Sequence, residues 1–290
     1  MAGSESPRRP PAWIGDHAVF HGEGAFWDGT ANRLRYVDML AGDIMSASPT
    51  GAVRDHVGDV VALVRDRRGG GYVAAVERGF VLLDDRLRVE RTIAVFDDPG
   101  VRMNEGACDA SGRLFCGSMA YDARQGAGRM YRLDPDLSVH VVMDSVTIPN
   151  GLVWTDGGAK ALHADTGERA VHSYEYDAER GVFGARDVFI DFGDGAAAPD
   201  GMALDREGGL WVAMWGGGAV RRYDSRGRLV AVIDLPVTNV TSCAFGGEHG
   251  MTLFVTTSRQ GIDAGSEPQA GLVYAIDVDV EGAPVHPFAG

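Results

Sequence analysis

Five residues of this chain have the types and placement to bind a hard cation: Glu23, Asn104, Glu105, Asn150 and Asp200. Carboxylates and amide carbonyls with no histidine or cysteine among them form an oxygen-only donor set. Such a set suits Ca2+, Mg2+ or Mn2+, and Zn2+ is a less specific occupant. Two of the five stand in matching tripeptides, Pro149-Asn150-Gly151 in "IPNG" and Pro199-Asp200-Gly201 in "APDG", each directly before an apolar run. Singly, each tripeptide is ordinary turn chemistry, because Pro presets φ, Asn or Asp tolerates the left-handed region and Gly accepts positive φ. The cation reading rests on recurrence in register, and recurrence needs a fold that brings distant residues to one point.

Stepping along the chain, an Asp followed by a polar or glycine turn and a short apolar strand recurs. It appears in "WDGTANRLRYVDM" (27–39), "RDRRGGGYVAAVE" (65–77), "CDASGRLFCGSM" (108–119), "WTDGGAKALHADT" (154–166) and "LDREGGLWVAMW" (204–215), and a looser copy, "FGGEHGMTLFVTTS", follows at 245–258. The leading aspartates Asp28, Asp66, Asp109, Asp156 and Asp205 are spaced 38 to 49 residues apart, so six units fill the chain. Each strand leads to another that ends in a polar hairpin, as in "RMYRLDPDLSVHVVMD" (129–144) and "AVRRYDSRGRLVAVID" (219–234). In "LWVAMW" both alternating faces are apolar, the mark of a strand covered on both sides. No segment carries a sustained 3.6 period with caps. Repeats of this length and content predict an all-β, six-bladed β-propeller, with a β-sandwich or a tandem pair of small β domains as the competing architecture. In a propeller the chain enters every innermost strand at one mouth of the central channel, so the first unit ("FHGEGAFWD", 20–28), the third ("VRMNEGACD", 101–109) and the two tripeptides would present Glu23, Asn104 with Glu105, Asn150 and Asp200 to one axial point.

Composition narrows the partners. Glycine is 41 of 290 residues, about twice the usual ~7%, and without a collagen period this means many turns. A net charge of −14 with no basic block argues against nucleic acid and favours cations as small partners. Three cysteines without a C-x-x-C pair indicate neither a disulfide framework nor a zinc knuckle, and Cys108 and Cys116 read as buried thiols in a reducing compartment. No apolar run approaches the roughly 18 residues of a membrane span. The expected organisation is a disordered leader over 1–14 and one propeller domain over 15–290, in a cytoplasmic monomer or weak homo-oligomer. The triple glycines at 69–71 and 216–218 lack the Lys-Ser/Thr of a phosphate loop and open no helix, and no H-E-x-x-H or G-x-S-x-G pattern occurs.

The motifs "GEGAFWD", "RMNEGACDASGRLFCGSM", "IPNGLVW", "APDGMALDREGGLWVAMWGGGAV", "LPVTNVTSCAFGG" and "AGLVYAID", in this order from about residue 15 to the end, together resemble the regucalcin (senescence-marker-protein) and gluconolactonase family. The resemblance implies a six-bladed propeller with one divalent metal on its axis, calcium first and Zn2+, Mg2+ or Mn2+ as other occupants, acting on a sugar lactone. It maps the metal ligands to Glu23, Asn150 and Asp200, and substrate contacts to Arg102 and Asn104. Where the family usually has Asn-Asp-Gly this chain has Asn104-Glu105-Gly106, which places Glu105, one methylene longer, among the substrate-binding candidates. The acidic substrate contact of the animal members has no clean equivalent, and Tyr121 and Asp122 are its candidates.

The chemistry that follows is ester hydrolysis. A cation with three protein ligands keeps open positions from which to polarise a lactone carbonyl and lower the pKa of water. Asp200 is then the expected catalytic residue, as general base, with Arg102 and Asn104 orienting the polyhydroxy substrate. Two competing functions share the fold: a calcium-binding protein without turnover, and a lactonase or esterase of paraoxonase-like substrate class, for which the sequence offers no second ligand set.

Overall fold

The computed structural model describes residues 12–14, 17–48 and 51–290. Within them the chain forms six four-stranded antiparallel sheets. The first five sheets are built from consecutive strands, and each is one blade. The six innermost strands are Gly22–Asp28, Val61–Asp66, Val101–Cys108, Pro149–Thr155, Ala198–Leu204 and Val240–Gly246. Each packs against the next, and the sixth returns to the first, which closes the ring. Closure of the sixth blade is shared by the two ends of the chain: Ala12–Ile14 pairs antiparallel with Val273–Asp277 as its outermost strand. That strand falls within the stretch expected as a leader, and the rest of 1–14 lies outside the described residues.

The all-β expectation holds, since the only helical segments among the described residues are two short 3-10 turns, Met39–Ala41 and Asp156–Gly158. Strand Leu210–Trp215 shows why both of its faces are apolar: Leu210, Val212 and Met214 pack toward the fourth blade, Trp211 and Ala213 toward the sixth, and all five are buried. The same two-sided packing continues around the ring and supplies the core.

Three of the five leading aspartates of the repeat, Asp28, Asp109 and Asp205, are structural clasps. Asp28 Oδ2 accepts from Arg35 Nε (2.8 Å) and from Tyr72 Oη of the next blade (2.7 Å). Asp109 Oδ2 accepts from Arg113 Nε (2.8 Å) and from Tyr176 Oη, again one blade on (2.7 Å). Asp205 Oδ2 accepts from Trp211 Nε1 and Arg222 Nε, both at 2.8 Å. All three are buried at the far end of their innermost strands, and each carboxylate is fully engaged.

At that same end the C-terminal segment crosses the channel. Ala283 N donates to Leu204 O (2.8 Å), Phe288 N to Asp66 O (2.9 Å) and Ala289 N to Gly112 O (2.9 Å), and Phe288 is fully buried. One mouth of the channel is therefore covered by the chain itself. Beneath this cover lies an axial cavity of about 130 Å³, bounded by Arg65, Glu105, Met202 and Cys243 and by residues 283–286.

Candidate metal centre

Every innermost strand breaks register with its neighbour near its start. The irregularities fall between Glu23 and Phe26, Val61 and Leu63, Met103 and Gly106, Pro149 and Leu152, Pro199 and Met202, and Val240 and Ser242. A bulge adds a residue to one strand and turns side chains out of the pleat, which is how a regular sheet can aim a group along its own edge. Asn104, Glu105, Asn150 and Asp200 lie inside such bulges and Glu23 borders one. The Pro-Asn-Gly and Pro-Asp-Gly tripeptides are thus bulged strand openings, not free turns. The second and sixth blades place Ala62 and Thr241 at the corresponding positions, so they contribute no carboxylate.

Glycine makes the bulges feasible. Gly24 takes a left-handed φ of 59° directly after Glu23, and a Cβ on Gly106 would stand 1.8 Å from the Phe115 carbonyl oxygen. Buried aspartates on the neighbouring strands fix the entering chain. Asp38 accepts from His21 N (3.0 Å) just before Glu23, and Asp165 accepts from Thr147 N (2.7 Å) and Ile148 N (2.9 Å) just before Asn150.

The result is a compact acidic cluster. Glu23, Glu105 and Asp200 each offer a carboxylate oxygen, and these atoms lie within 4.8 Å of one another; among the described residues no other His, Cys, Asp or Glu group gathers in this way. All three are buried, as is Asn150. Glu105 Oε2 and Asp200 Oδ1 have no hydrogen-bond partner. Burial, and then the charge of Glu105, pushes the Glu23 carboxyl well above the usual range, and burial followed by the charges of Glu23 and Glu105 does the same to Asp200. Burial pushes Glu105 up to about 7 against the opposing charge of Arg65. A divalent cation among these oxygens would relieve both the repulsion and the missing partners, so the residues present fit one.

A hydrogen-bond chain orients the amides. Arg102 Nη1 donates to Asn104 Oδ1 (2.6 Å), Asn104 Nδ2 donates to Pro149 O (2.8 Å) and to Asn150 Oδ1 (3.0 Å), and Asn150 Nδ2 donates to Thr166 Oγ1 (2.6 Å). Thr166 Oγ1 in turn donates to Pro199 O (2.6 Å), beside Asp200. The chain leaves a lone pair of Asn150 Oδ1 free for a cation. Arg102 is buried, with its guanidinium 5.9 Å from the centre of the Tyr121 ring.

The sequence-derived site residues therefore divide. Glu23, Asn104, Glu105, Asn150 and Asp200 come together, with Arg102 on the same hydrogen-bond chain. Tyr121 stands at the rim, 46% exposed, and its hydroxyl donates to Glu77 Oε1 (2.7 Å), while exposed Asp122 caps its own turn through Arg124 N (3.2 Å). Three neighbours escaped sequence reading. His21 has Nδ1 2.8 Å from Ser258 Oγ and Nε2 3.9 Å from Glu23 Oε1, and burial, then the Arg102 charge, lowers its pKa to about 3. Thr166 and Glu77 are the others. Only Thr166 had a signal available, as the residue after the Asp that ends its strand, the place Met39 occupies in the first blade. The thiols of Cys108 and Cys116 are free and buried, and burial raises both to about 12, as expected of inert cysteines.

Residues 21–259 match the SMP-30/Gluconolactonase/LRE-like region. The chain is 35% identical to a pentonolactonase of Haloferax volcanii over 274 residues, covering 91% of this chain and 92% of that protein. It is 35% identical to regucalcin of Gallus gallus over 291 residues, covering 96% and 97%. Among solved structures, a calcium-binding protein, regucalcin, from Agrobacterium tumefaciens superposes with a TM-score of 0.90 at 25% identity, covering 99% of this chain and all of that one.

Proposed function

The chain belongs to the SMP-30/gluconolactonase/LRE-like family, and from that premise we propose that it is a divalent-metal-dependent lactonase opening sugar lactones to the corresponding sugar acids. The observation that carries the reading is the axial cluster of buried, unpartnered carboxylate oxygens beside an oriented Arg102–Asn104–Asn150 chain. Similarity to a pentonolactonase supports the substrate class.

Glu23, Asn150 and Asp200 would hold the cation, which supplies Lewis-acid polarisation of the lactone carbonyl and of the attacking water. Asp200, with Oδ1 unpartnered, accepts the proton of that water as its oxygen adds to the acyl carbon. When the ring C–O bond breaks, the same proton returns to the departing alkoxide, so the products are a hydroxyl and a carboxylic acid. Arg102 holds the substrate's hydroxyl and ring oxygens, while Asn104, whose two Nδ2 hydrogens go to Pro149 O and Asn150 Oδ1, keeps an Oδ1 lone pair to accept from a substrate hydroxyl, and their mutual hydrogen bond fixes both before substrate arrives. His21, neutral and tied to Ser258, walls the site against solvent with its ring 6.0 Å from Trp215.

The test is hydrolysis of an aldonolactone panel, followed with a pH indicator, by chelator-stripped protein with and without Ca2+, Mg2+, Mn2+ or Zn2+. Turnover should return only with metal, and Asp200→Asn should lose it by ~10²-fold or more while keeping the fold. Full activity in Asp200→Asn would remove its role as base. Similarity to a regucalcin described as calcium-binding favours a second reading, a calcium-binding protein without turnover. In that case Ca2+ raises the melting temperature and no lactone is opened.

A further inference from the structure

We propose that Glu105 is itself a ligand of the axial cation, so that this chain's centre is a three-carboxylate site completed by the Asn150 amide oxygen. The proposal rests on the metal reading above. Its first support is placement: the Glu105 carboxylate meets those of Glu23 and Asp200 within 4.8 Å.

The second support is the absence of any other duty. Asn104 and Glu105 share one bulge, but Asn104 is committed to Arg102, Pro149 and Asn150, whereas Glu105 Oε2 is buried without a partner. The nearby buried cation does not satisfy it. Arg65 spends Nη1 on Gly24 O (3.1 Å) and Val64 O (2.7 Å) and Nη2 on Gly106 O (3.0 Å), and no Arg65–Glu105 ion pair occurs within 4.0 Å. Arg65 thereby straps together the backbones that follow Glu23 and Glu105 and leaves the carboxylate aimed at the axis.

The third support is depth. Glu105 lines the inner axial cavity with Arg65, Met202 and Cys243, on the side covered by the C-terminal segment, away from the rim where Tyr121 is exposed. A group there can reach the cation from below but not a polyhydroxy substrate that enters from the open mouth. Three carboxylates around a divalent ion leave a net charge of −1, which the buried guanidinium groups of Arg65 and Arg102 offset from below and from the side. Without the ion, the same three groups repel one another.

Calorimetric titration with Ca2+ on wild type, Glu105→Gln, Glu23→Gln and Asp200→Asn tests this, together with melting of the chelated and Ca2+-loaded proteins. Glu105→Gln should weaken Ca2+ binding at least tenfold, raise the melting temperature of the chelated protein and shrink the gain that Ca2+ gives. Tb3+ luminescence lifetimes in H2O and D2O, which count coordinated water, should show one more water in Glu105→Ala than in wild type. Unchanged affinity and water count at Glu105, with binding lost in Glu23→Gln and Asp200→Asn, would overturn this proposal alone. Wild-type affinity in all three isosteric variants would overturn the metal reading with it. An equal fall in melting temperature with and without Ca2+ in Glu105→Gln would make the residue structural and also overturn the proposal.

Discussion

With its metal chelated, the protein should lose stability as pH rises, and Glu105 sets a magnitude. Its carboxyl is raised from 4.5 to about 7 by burial. A carboxyl whose folded-state pKa is raised binds more protons folded than unfolded between the two values. Its stabilising contribution is therefore fully present below about 4.5 and is lost as pH climbs to about 7. At ~1.4 kcal/mol per pH unit, Glu105 should cost the apo protein about 1 kcal/mol at pH 5 and about 3 kcal/mol at pH 7.5. With an unfolding entropy of ~2.1 cal/mol/K per residue, 3 kcal/mol corresponds to about 5 °C in melting temperature. Glu23 and Asp200, raised by burial and by their neighbours' charges, act in the same direction. His21 and His163 oppose them below pH 6.5: burial lowers them to about 3 and about 4, so their contribution is lost as pH falls. Subtracting the urea-unfolding free energy of Glu105→Gln from that of wild type at each pH from 5 to 7.5 isolates the carboxyl from the histidines. The difference should grow more unfavourable to wild type by about 2 kcal/mol across that range. Saturating Ca2+ should reverse the slope, because the ion displaces protons and its stabilisation increases with pH. A flat difference, or one that favours wild type increasingly as pH rises, would refute the burial-and-repulsion account of the cluster.

Two further substitutions probe how the site is held and how the fold is held. Thr166→Val removes the acceptor for Asn150 Nδ2 and the donor to Pro199 O, so it should weaken Ca2+ binding by about tenfold, with Thr166→Ser restoring it, as read by calorimetric titration. Asp205→Ala strands the buried Trp211 indole N–H and leaves the Arg222 guanidinium only its pair with Glu207, at the far end of the strand, about 15 Å from Asp200. It should cost about 1–3 kcal/mol in urea unfolding while leaving Ca2+ affinity unchanged.

The blade repeat was legible because its signals are local. Aspartates at 38 to 49-residue intervals and strands apolar on both faces, such as Leu210–Trp215, state the unit and its packing without any tertiary knowledge. The register of Glu23, Asn150 and Asp200 was legible for the same reason, since equivalent positions in a closed ring must meet. The direction of Glu105 was not. Whether a residue in a two-residue bulge faces the mouth or the inner cavity depends on how the bulge is turned. That turn is fixed by Gly106 against the Phe115 carbonyl and by Arg65 on the Gly106 oxygen, contacts across 9 and 41 residues. His21 and Glu77 were out of reach, because their roles come from Ser258 and Tyr121, side chains of other blades, and Thr166, although placed by the Asp before it, takes its role from Asn150 and the Pro199 carbonyl. Closure of the sixth blade by Ala12–Ile14 lay beyond the sequence for a similar reason: a three-residue strand has no period, and only its partner, Val273–Asp277, identifies it.

The two ends of the innermost strands show why the same residue type does structural work at one and chemistry at the other. Asp28, Asp109 and Asp205 are as buried as Glu23 and Asp200, yet each clasp aspartate meets an arginine and an aromatic hydroxyl or indole N–H that satisfy it. At Asp28 the Ala31 N–H, with Arg35 and Tyr72, outweighs burial and holds the carboxyl below its ordinary range. At the axial mouth the arginines are turned to other acceptors, Arg102 to Asn104 and Met103 O, Arg65 to three carbonyls, so Glu105 Oε2 and Asp200 Oδ1 are left without a protein partner. Burial without partners is costly in a closed apolar ring, and it persists where a ligand supplies what the chain withholds. The withheld hydrogen bonds, more than the acidic residues themselves, mark this end of the propeller as the place for the proposed cation and the lactone chemistry proposed with it.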